Sequence, residues 1–456
     1  MKTILSVGAA LGLLCSSVSA AARPNFVVVL IDDMGWGDFS CFGNPAARTE
    51  AADRLAAEGI RFSQFYVNAP ICSPSRTALT TGQYPQRWRI HSFLNNRAAN
   101  QRRGMAQWLD PKAPTLARYL QQAGYATGHF GKWHMGGQRD VGEAPLIAEY
   151  GFEETLTNFE GLGARLLPLC DAHDGQPLRR HALGSDLLGR GPIVWMDRAR
   201  ITEGYVGAAI GFARKAAADG RPFYINVWPD DVHSPFYPPK ARRGDGSNRA
   251  LYHGVLETMD EQLAVLFDFI RNDSSLRTNT LVLVCSDNGP EAGAGSAGPF
   301  RGGKTMLYEG GIRSPLIVWG PGWTPPQRAG SENGRSVVMA MDIAPSLLAL
   351  AGVRVPDGTF DGENLAGTLL GKSWASRQTP LFWRRPPDRP GEGGENLPDL
   401  AVRDGRWKLL CEFDGLSPQL YDLDQDPAET SNLAARHPDI VRRLAASVRQ
   451  WHESVP

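Results

Sequence analysis

The stretch Asn25-Phe-Val-Val-Val-Leu-Ile31, followed directly by Asp32 and Asp33, decides the fold class. A continuous run of β-branched and other apolar residues is typical of a strand that is buried on both faces. Leu281-Val-Leu-Val-Cys285 is a second run of this kind, and Asp287-Asn288-Gly289 follows it. Helix-like stretches alternate with these runs and span residues 51–58, 113–124, 202–218 and 252–271. This alternation predicts an α/β fold with a large, mostly parallel sheet flanked by helices.

The last part of the chain has a different sequence pattern. Residues 401–409 predict a β-hairpin around the turn Asp404-Gly405. Residues 438–451 place apolar side chains on one face of a helix. We therefore predict a large N-terminal domain over residues 23–378. A smaller C-terminal α+β domain, with a short antiparallel sheet and a helix, is predicted over residues 379–456.

The first 22 residues predict a secretory signal peptide. Lys2 supplies the positive charge, residues 4–14 are apolar, and Val18-Ser19-Ala20 has the small side chains of a cleavage site. The apolar run is too short to span a membrane. We therefore expect an exported protein, either periplasmic or secreted, with no membrane partner.

Charge and cysteine content exclude some classes of protein. The 456 residues include 48 Lys and Arg and 48 Asp and Glu, so no net field attracts nucleic acid or a membrane surface. An anionic substrate would need a local pocket. The cysteines beyond the signal segment are odd in number, which implies a separate fate for at least one of them. The spacing does not give the pairing of Cys41, Cys170, Cys285 and Cys411.

The run Cys72-Ser-Pro-Ser-Arg-Thr-Ala-Leu-Thr-Thr-Gly82 carries the strongest functional signal. It predicts a helix with Ser73 as its N-cap, Pro74 in its first turn and Gly82 just after its end. Cys72 would then precede a helix N-terminus, where free N–H groups and the helix dipole favour an anion. Arg76, one turn further on, would add a guanidinium group. A small buried thiol beside a turn is the alternative.

A Cys two residues before Pro and four before Arg resembles the signature of the formylglycine-dependent (type I) sulfatases of the alkaline phosphatase superfamily. The resemblance runs from Asn25 to about Asn432. It implies that a formylglycine-generating or sulfatase-maturating enzyme converts Cys72 to formylglycine (3-oxoalanine), whose hydrate attacks sulfur. The implied activity is the hydrolysis of sulfate monoesters, on sulfated glycans or aryl sulfates.

Two acidic pairs at two predicted strand ends form a set of oxygen ligands. Asp32, Asp33, Asp287 and Asn288 suit Ca²⁺ or Mg²⁺ rather than zinc. A helix cap or a turn is the alternative for the first pair taken alone. The resemblance implies that the four residues, together with the modified Cys72, bind one divalent cation, usually Ca²⁺.

The run Gly131-Lys-Trp-His-Met-Gly136 resembles the second signature of the family. The resemblance implies that Lys132 contacts the sulfate and the aldehyde hydrate, and that His134 assists the release of sulfate from the modified Cys72. Histidine is the usual proton carrier near neutral pH. A histidine that is only packed and hydrogen-bonded is the alternative for His134.

His233 lies in the run Asp230-Asp231-Val232-His233-Ser234-Pro235. By resemblance it is the general acid that protonates the departing alcohol. The family more often has Pro where this chain has Val232. Asp230 and Asp231 either hold the ring of His233 protonated or cap a loop.

Lys304, in a Gly-rich segment, resembles the family's lysine that grips the sulfate. Together with Lys132 and Arg76 it would stabilise charge on the sulfate oxygens. Residues 298–305 also satisfy the pattern of a nucleotide-binding P-loop. A P-loop follows a strand directly and opens a sustained helix, whereas Gly310-Gly311 would stop a helix here.

Three residues after the Cys72 signature are candidates for substrate contacts. Arg87, Arg89 and His91 suit an anionic or hydroxyl-rich sugar, and a solvated basic loop is the alternative. Residues 161–194 match no clear family pattern, so they are candidates for substrate-specific loops.

Two other functions stay open at this point. One is a phosphonate or phosphodiester hydrolase of the same superfamily, and the other is a non-catalytic protein that binds sulfated glycans. Zinc members of the superfamily often have His after the Asp that corresponds to Asp287, where this chain has Asn288. No catalytic position of the sulfatase pattern is missing, which favours an enzyme.

Overall fold

The structure is a computed structural model that describes residues 23–388 and 397–456. The predicted signal peptide, residues 1–22, lies outside the described residues, so export stays a prediction. Within the described ranges, no helix has the length and apolar character needed to cross a membrane. Cys41, Cys170, Cys285 and Cys411 form no disulfide in these ranges.

The described strands and helices follow one another in an alternating order. The strands are β1 Asn25–Ile31, β2 Ile60–Tyr66, β3 Ala126–Gly131, β4 Glu154–Thr157, β5 Arg165–Cys170, β6 Arg179–Arg180, β7 Ile193–Asp197, β8 Phe223–Trp228, β9 Thr280–Ser286, β10 Arg313–Trp319, β11 Ser331–Asn333, β12 Val338–Met339, β13 Leu381–Arg384, β14 Leu400–Asp404, β15 Trp407–Cys411 and β16 Gln419–Asp422. The helices are α1 Glu50–Glu58, α2 Cys72–Thr81, α3 Arg97–Arg102, α4 Leu116–Gln122, α5 Ile201–Ala218, α6 Asn248–Asn272, α7 Ser274–Asn279, α8 Glu309–Ile312, α9 Ile343–Leu350, α10 Ala366–Leu369 and α11 Pro438–Ser454.

A 12-stranded sheet forms the centre of the described chain. Its order is β11-β2-β10-β9-β1-β8-β3-β4-β5-β6, with β12 also paired to β2 and β7 to β5. Strand β10 is antiparallel to both neighbours and β6 is antiparallel to β5, whereas the other pairings are parallel. The predicted α/β class with a large, mostly parallel sheet is confirmed.

Strand β1 is the middle of this sheet, and its side chains alternate between two helical layers. Val27, Val29 and Ile31 pack in the layer that contains α1, α5 and α6. Phe26 and Val28 pack in the opposite layer with α2, α4 and α9. Every residue of β1 is buried. Because a fully buried side chain of this size contributes roughly 1.5–3 kcal/mol, the apolar run explains why β1 is central.

The carboxyl ends of the central strands meet at one edge of the sheet. Strand β1 lies between β8 and β9, and Ile31 pairs with Ser286 at the ends of β1 and β9. The residues that follow, Asp32 and Asp287, therefore leave the sheet side by side. Ligands gather at this edge in parallel α/β sheets.

Helix α2 begins earlier than the sequence predicts. Its first residue is Cys72, and Ile71 before it is extended and makes no side-chain cap. The prediction that Ser73 is the N-cap is wrong, because its Oγ accepts a hydrogen bond from the N–H of Leu94 at 2.9 Å instead. Gly82 follows the helix as predicted, with a φ of +65°.

The predicted helix over residues 113–124 is shorter in the structure. Helix α4 begins at Leu116, after Thr115 as N-cap, whose Oγ1 accepts a hydrogen bond from the N–H of Arg118 at 3.3 Å. Pro114 disfavours helical backbone at the residue before it. The proline and the cap together move the start of the helix.

The C-terminal part has the small antiparallel sheet and helix that the sequence predicts. The sheet has the order β13-β14-β15-β16, and the hairpin between β14 and β15 turns at Gly405, which has a φ of +59°. Leu444, Val448 and Trp451 of α11 are buried. Tyr66 of the large sheet belongs to the same apolar cluster as these side chains. The division at residue 379 stays a prediction.

A buried ion cluster joins the small sheet to the large one. Lys408, in β15, donates from Nζ to Glu309 Oε1 at 2.9 Å and lies 2.8 Å from Glu429 Oε1. Glu309 also pairs with Arg313, the first residue of β10, at 3.2 Å. The side chains of Lys408 and both glutamates are fully buried. Removal of one member would leave a buried charge without compensation.

Lys408→Met should lower the free energy of unfolding by about 3–5 kcal/mol, because buried Glu429 loses its ion-pair partner while Glu309 keeps only its pair with Arg313. Arg443→Met is the matched control, since Arg443 pairs with Asp404 at the surface, where such pairs contribute about 0–1 kcal/mol. Urea denaturation measures both variants. Equal stability of the two variants would contradict a stabilising role for the cluster.

Candidate active site

The two predicted acidic pairs meet at the carboxyl edge of the large sheet. Asp32 and Asp33 follow β1, whereas Asp287 and Asn288 follow β9. The N–H of Asp33 donates to Asp287 Oδ1 at 3.2 Å, and Asn288 Nδ2 donates to Asp33 Oδ1 at 2.9 Å. All four residues are fully buried. The structure thus brings the predicted ligand set together.

Arg76 binds these carboxylates. Its Nε and Nη2 donate to Asp287 Oδ2 at 3.0 and 2.7 Å, and Nη2 also donates to Asp32 Oδ1 at 3.1 Å. Nη1 donates to the carbonyl oxygen of Lys132 at 3.1 Å. Arg76 is predicted to stabilise charge on the sulfate oxygens, whereas the structure shows a fully buried guanidinium that holds two carboxylates in place.

Burial and neighbouring charges compete at these carboxylates. Burial disfavours the ionised form of Asp32, but Lys132 and Arg76 outweigh it and hold the pKa of Asp32 well below its ordinary value. Burial raises the pKa of Asp287 to about 8, against the effect of Arg76 and with that of Asp32. An additional positive charge at this point would favour the ionised form of both groups.

Cys72 lies against the same carboxylates at the start of α2. Its Sγ and one oxygen each of Asp32 and Asp287 lie within 4.8 Å of one another, as do Sγ, an oxygen of Asp33 and a ring nitrogen of His233. Burial raises the pKa of the Cys72 thiol to about 12. Because the thiolate is the nucleophilic form, the unmodified side chain is a poor nucleophile near neutral pH.

The loop after β3 places Lys132 and His134 beside the acidic cluster. Lys132 Nζ donates to Asp32 Oδ2 at 2.7 Å and lies 3.0 Å from Glu160 Oε2. His134 Nδ1 lies 2.9 Å from the same glutamate oxygen, and Nε2 lies 2.9 Å from the carbonyl oxygen of Leu94. The two residues of the second signature therefore share one carboxylate partner.

Glu160 is a residue of the site that no sequence motif predicts. This residue lies just after β4, a strand of four residues that is too short to produce a recognisable pattern. The available signal was its place beyond the carboxyl end of a strand in a parallel sheet, where functional side chains gather.

His233 and Lys304 approach the cluster together. His233 Nδ1 lies 2.6 Å from the carbonyl oxygen of Ser234, which only accepts, so Nδ1 carries a proton. Nε2 lies 3.5 Å from Asp33 Oδ2 and 3.3 Å from Lys304 Nζ. Lys304 Nζ also donates to Asp33 Oδ2. Both predicted residues thus lie beside the acidic cluster.

Residues 298–305 do not have the structure of a P-loop. A loop separates them from β9, and the next helix, α8, begins at Glu309 and has only four residues. A nucleotide-binding P-loop opens directly into a sustained helix. The nucleotide alternative is therefore wrong.

Asp230 and Asp231 pair with Arg198 rather than with the ring of His233. Arg198 Nη1 lies 2.6 Å from Asp231 Oδ1 and 3.8 Å from Asp230 Oδ1. Asp231 Oδ2 also accepts a hydrogen bond from Thr202 Oγ1 at 2.6 Å. Of the two predicted roles, these contacts fit bracing of the loop before His233.

A cavity of about 580 Å³ opens over the cluster. The predicted catalytic residues that line it are Cys72, Lys132, His134, His233 and Lys304. Aromatic and basic side chains line it further out, among them Phe93, Arg139, Phe159, His181 and Tyr237. Residues 161–194, the candidate segment for substrate-specific loops, contribute Cys170, His181 and Leu183 to this wall.

The three candidate substrate residues lie elsewhere. Arg87 pairs with Asp361 at 2.7 Å, Arg89 donates to a backbone carbonyl, and His91 contacts Arg384. In the part of the chain that the structure describes, none of the three lines the cavity. The three residues are close to the Cys72 signature in sequence, but they do not lie at the cavity.

Comparisons with known proteins agree with this geometry. The Sulfatase family model matches residues 24–353, and a model described as N-sulphoglucosamine sulphohydrolase, C-terminal, matches residues 299–454. Arylsulfatase A of Homo sapiens is 30% identical to the chain, over 94% of this chain and 88% of that protein. N-acetylgalactosamine-6-sulfatase of Canis lupus familiaris is 33% identical, over 99% of this chain and 90% of that protein.

Solved structures share the fold. Ps i-CgsB in complex with k-i-k-neocarrahexaose has a TM-score of 0.75 and 24% identity, and the match covers 94% of this chain and 92% of that chain. The family model spans most of the chain, and it includes all the residues of the cluster. The chain therefore belongs to the sulfatase family, a family of sulfuric ester hydrolases.

Proposed function

We propose that this sulfatase hydrolyses sulfate monoesters of glycans through a nucleophile made from Cys72. The position of Cys72 carries the proposal, because its Sγ lies against Asp32, Asp33 and Asp287 and lines the cavity together with Lys132 and Lys304. Conversion of Cys72 to formylglycine by a maturating enzyme supplies a hydrated aldehyde with two hydroxyl groups, one for attack and one for release of sulfate.

The donor set beside Cys72 fits a hard divalent cation. Three carboxylates and one amide offer oxygen ligands of the kind that Ca²⁺ and Mg²⁺ prefer. Asn288 Oδ1 is buried and has no hydrogen-bond partner among the described residues, which suits an atom that serves as a ligand. We assign one cation, Ca²⁺ before Mg²⁺, to Asp32, Asp33, Asp287 and Asn288 with the modified Cys72. Bound there, it would neutralise charge on the sulfate.

Two lysines are assigned to the sulfate oxygens. Lys132 and Lys304 line the cavity, and each now pairs with one carboxylate of the acidic cluster, Asp32 and Asp33 respectively. Neutralisation of those carboxylates would leave the two ammonium groups to bind sulfate. Fixed positive charges in a cavity stabilise negative charge that develops in the transition state.

Two histidines are assigned to proton transfer. His233 faces the cluster with Nε2, while its Nδ1 is held by the carbonyl of Ser234, so a proton on Nε2 is placed for the departing alcohol oxygen. His134 also lines the cavity and is assigned as the base for sulfate release.

The relatives and the cavity support a proposal for the substrate class. Its volume of about 580 Å³ suits a small ligand, and its aromatic and charged wall suits a sugar with its hydroxyl groups. The relative from Canis lupus familiaris is named for a sulfated amino sugar. We infer a sulfated glycan, with aryl sulfates as simple model substrates, and we propose that the enzyme is exported to the periplasm or the medium.

Cys72→Ala should abolish sulfate release from p-nitrophenyl sulfate and from sulfated sugars, by at least about 1,000-fold, because the nucleophile is lost. Cys411→Ala is the matched control, since Cys411 is equally buried but lies in the small sheet, away from the cavity. Its activity should persist. Normal turnover by a folded Cys72→Ala protein would overturn the proposal.

Ca²⁺ should raise the thermal midpoint of the protein, because a ligand that binds only the folded state adds about 2.7 kcal/mol at 100 times its Kd. Thermal scans with a chelator, with Ca²⁺ and with Mg²⁺ measure the gain. Asp33→Asn should remove it, whereas Asp171→Asn, which changes a carboxylate paired with Arg243 outside the cluster, should retain it. An equal gain in both variants would contradict the assigned site.

A further inference from the structure

Glu160 is a buried carboxylate on the floor of the cavity, and none of the assignments above uses it. Its side chain is 9% exposed. Its carbonyl oxygen accepts a hydrogen bond from the N–H of His134 at 2.7 Å, and its own N–H donates to Asn158 Oδ1 at 2.8 Å. The backbone therefore fixes Glu160 beside His134, independently of the contact between their side chains.

Both ring nitrogens of His134 face hydrogen-bond acceptors. Nε2 lies 2.9 Å from the carbonyl oxygen of Leu94, and a carbonyl only accepts, so Nε2 carries a proton. Nδ1 lies 2.9 Å from Glu160 Oε2. Nδ1 is therefore the nitrogen at which the ring gains or loses its proton, and the nearby carboxylate forms an ion-pair contact with it. One proton shared at this contact belongs to the pair rather than to either residue.

The charged groups around the pair are few. Lys132 lies 3.0 Å from Glu160 Oε2, and Asp32 and His181 act on Glu160 from further away. Burial lowers the pKa of His134, and Glu160 opposes that effect while Lys132 adds to it. Burial disfavours ionised Glu160, but His134 and Lys132 outweigh it and hold the pKa of Glu160 below its ordinary value. The ionised carboxylate thus faces the imidazole ring.

We propose that Glu160 is the positioning residue for the base of the sulfate-releasing step, and that Glu160 and His134 act as one dyad with a single mobile proton. The inference rests on the proposed function. Sulfate release removes a hydroxyl proton from the modified Cys72 side chain, forms its C=O bond and breaks its C–O bond to sulfate, which leaves with the electron pair. His134 Nδ1, the ring nitrogen that does not bond to Leu94, takes up this proton beside Glu160 and then passes it to water.

The charge of Glu160 has a second effect, on Lys132. The carboxylate holds the ammonium group together with Asp32, at 3.0 and 2.7 Å, and so restrains the position of Lys132 at the cavity. A positioning role therefore predicts a loss in kcat and a changed pH profile, whereas loss of fold would lower all parameters together.

The test compares Glu160→Gln, Glu160→Asp and Glu153→Gln. Glu153 is the matched control, because it pairs with Arg221 at the surface near the other end of β4. In Glu160→Gln the protonated ring of His134 loses its negatively charged partner, so the pKa of His134 should fall. The acidic limb of the pH profile of kcat should therefore move to lower pH by about one unit or more. Its kcat should fall at least about tenfold, with a smaller change in KM. Glu160→Asp keeps the negative charge, so the acidic limb of its kcat profile should stay at the same pH as in the wild type.

A second readout does not depend on turnover. Nuclear magnetic resonance of ¹³C-labelled histidine, with His134→Gln to assign the signal, follows the titration of His134 in unmodified protein. The signal should titrate at lower pH in Glu160→Gln than in Glu153→Gln. An unchanged titration together with an unchanged pH limb would overturn the dyad.

Different experimental results would contradict the proposed function and the proposed dyad. Activity that persists in Cys72→Ala would contradict the proposed function, because the sulfate-releasing step takes place on the modified Cys72. Activity that depends on Cys72 but is the same in Glu160→Gln and wild type, with equal conversion of Cys72 by mass spectrometry, removes only the role of Glu160.

Discussion

The buried contact of Arg76 with Asp32 and Asp287 is the interaction on which the rest of the site depends. Strands β1 and β9 end side by side, so two carboxylates emerge from the sheet within reach of each other. Without a cation between them they would repel in a medium of low polarity. The guanidinium from α2 supplies that cation and ties the helix that begins with Cys72 to the edge of the sheet. The position of Cys72, the proposed nucleophile, and the position of the acidic cluster are thus set by one contact.

Around this contact, acidic and basic side chains alternate. Lys132 lies between Asp32 and Glu160, Glu160 lies between Lys132 and His134, and Asp33 faces both Lys304 and His233. Each buried charge therefore has a partner of opposite sign, which is the condition for keeping ionised groups in an interior. In the proposed function, the same arrangement gives Lys132 and Lys304 each a carboxylate from which they are released to bind sulfate.

The parts of this picture that the sequence predicted are those that depend on local pattern. The apolar run of β1 specified a central strand, and the acidic residues after β1 and β9 converge because adjacent parallel strands end at one edge. Glu160 could not be found in this way, because its partners come from a different loop and its own strand has four residues. The start of α2 was misplaced because Ser73 bonds to Leu94, a contact that no local rule contains. Arg87 follows the signature in sequence but pairs with the distant Asp361.

The central claim is that a buried thiol at the start of α2 becomes the nucleophile by covalent conversion. Mass spectrometry of the peptide that contains Cys72 tests it most directly, on protein produced together with a formylglycine-generating enzyme and assayed for sulfate release. The account predicts a loss of about 18 Da on that peptide, the change from thiol to aldehyde, in proportion to activity. A fully active preparation in which Cys72 keeps the mass of an unmodified thiol would contradict it.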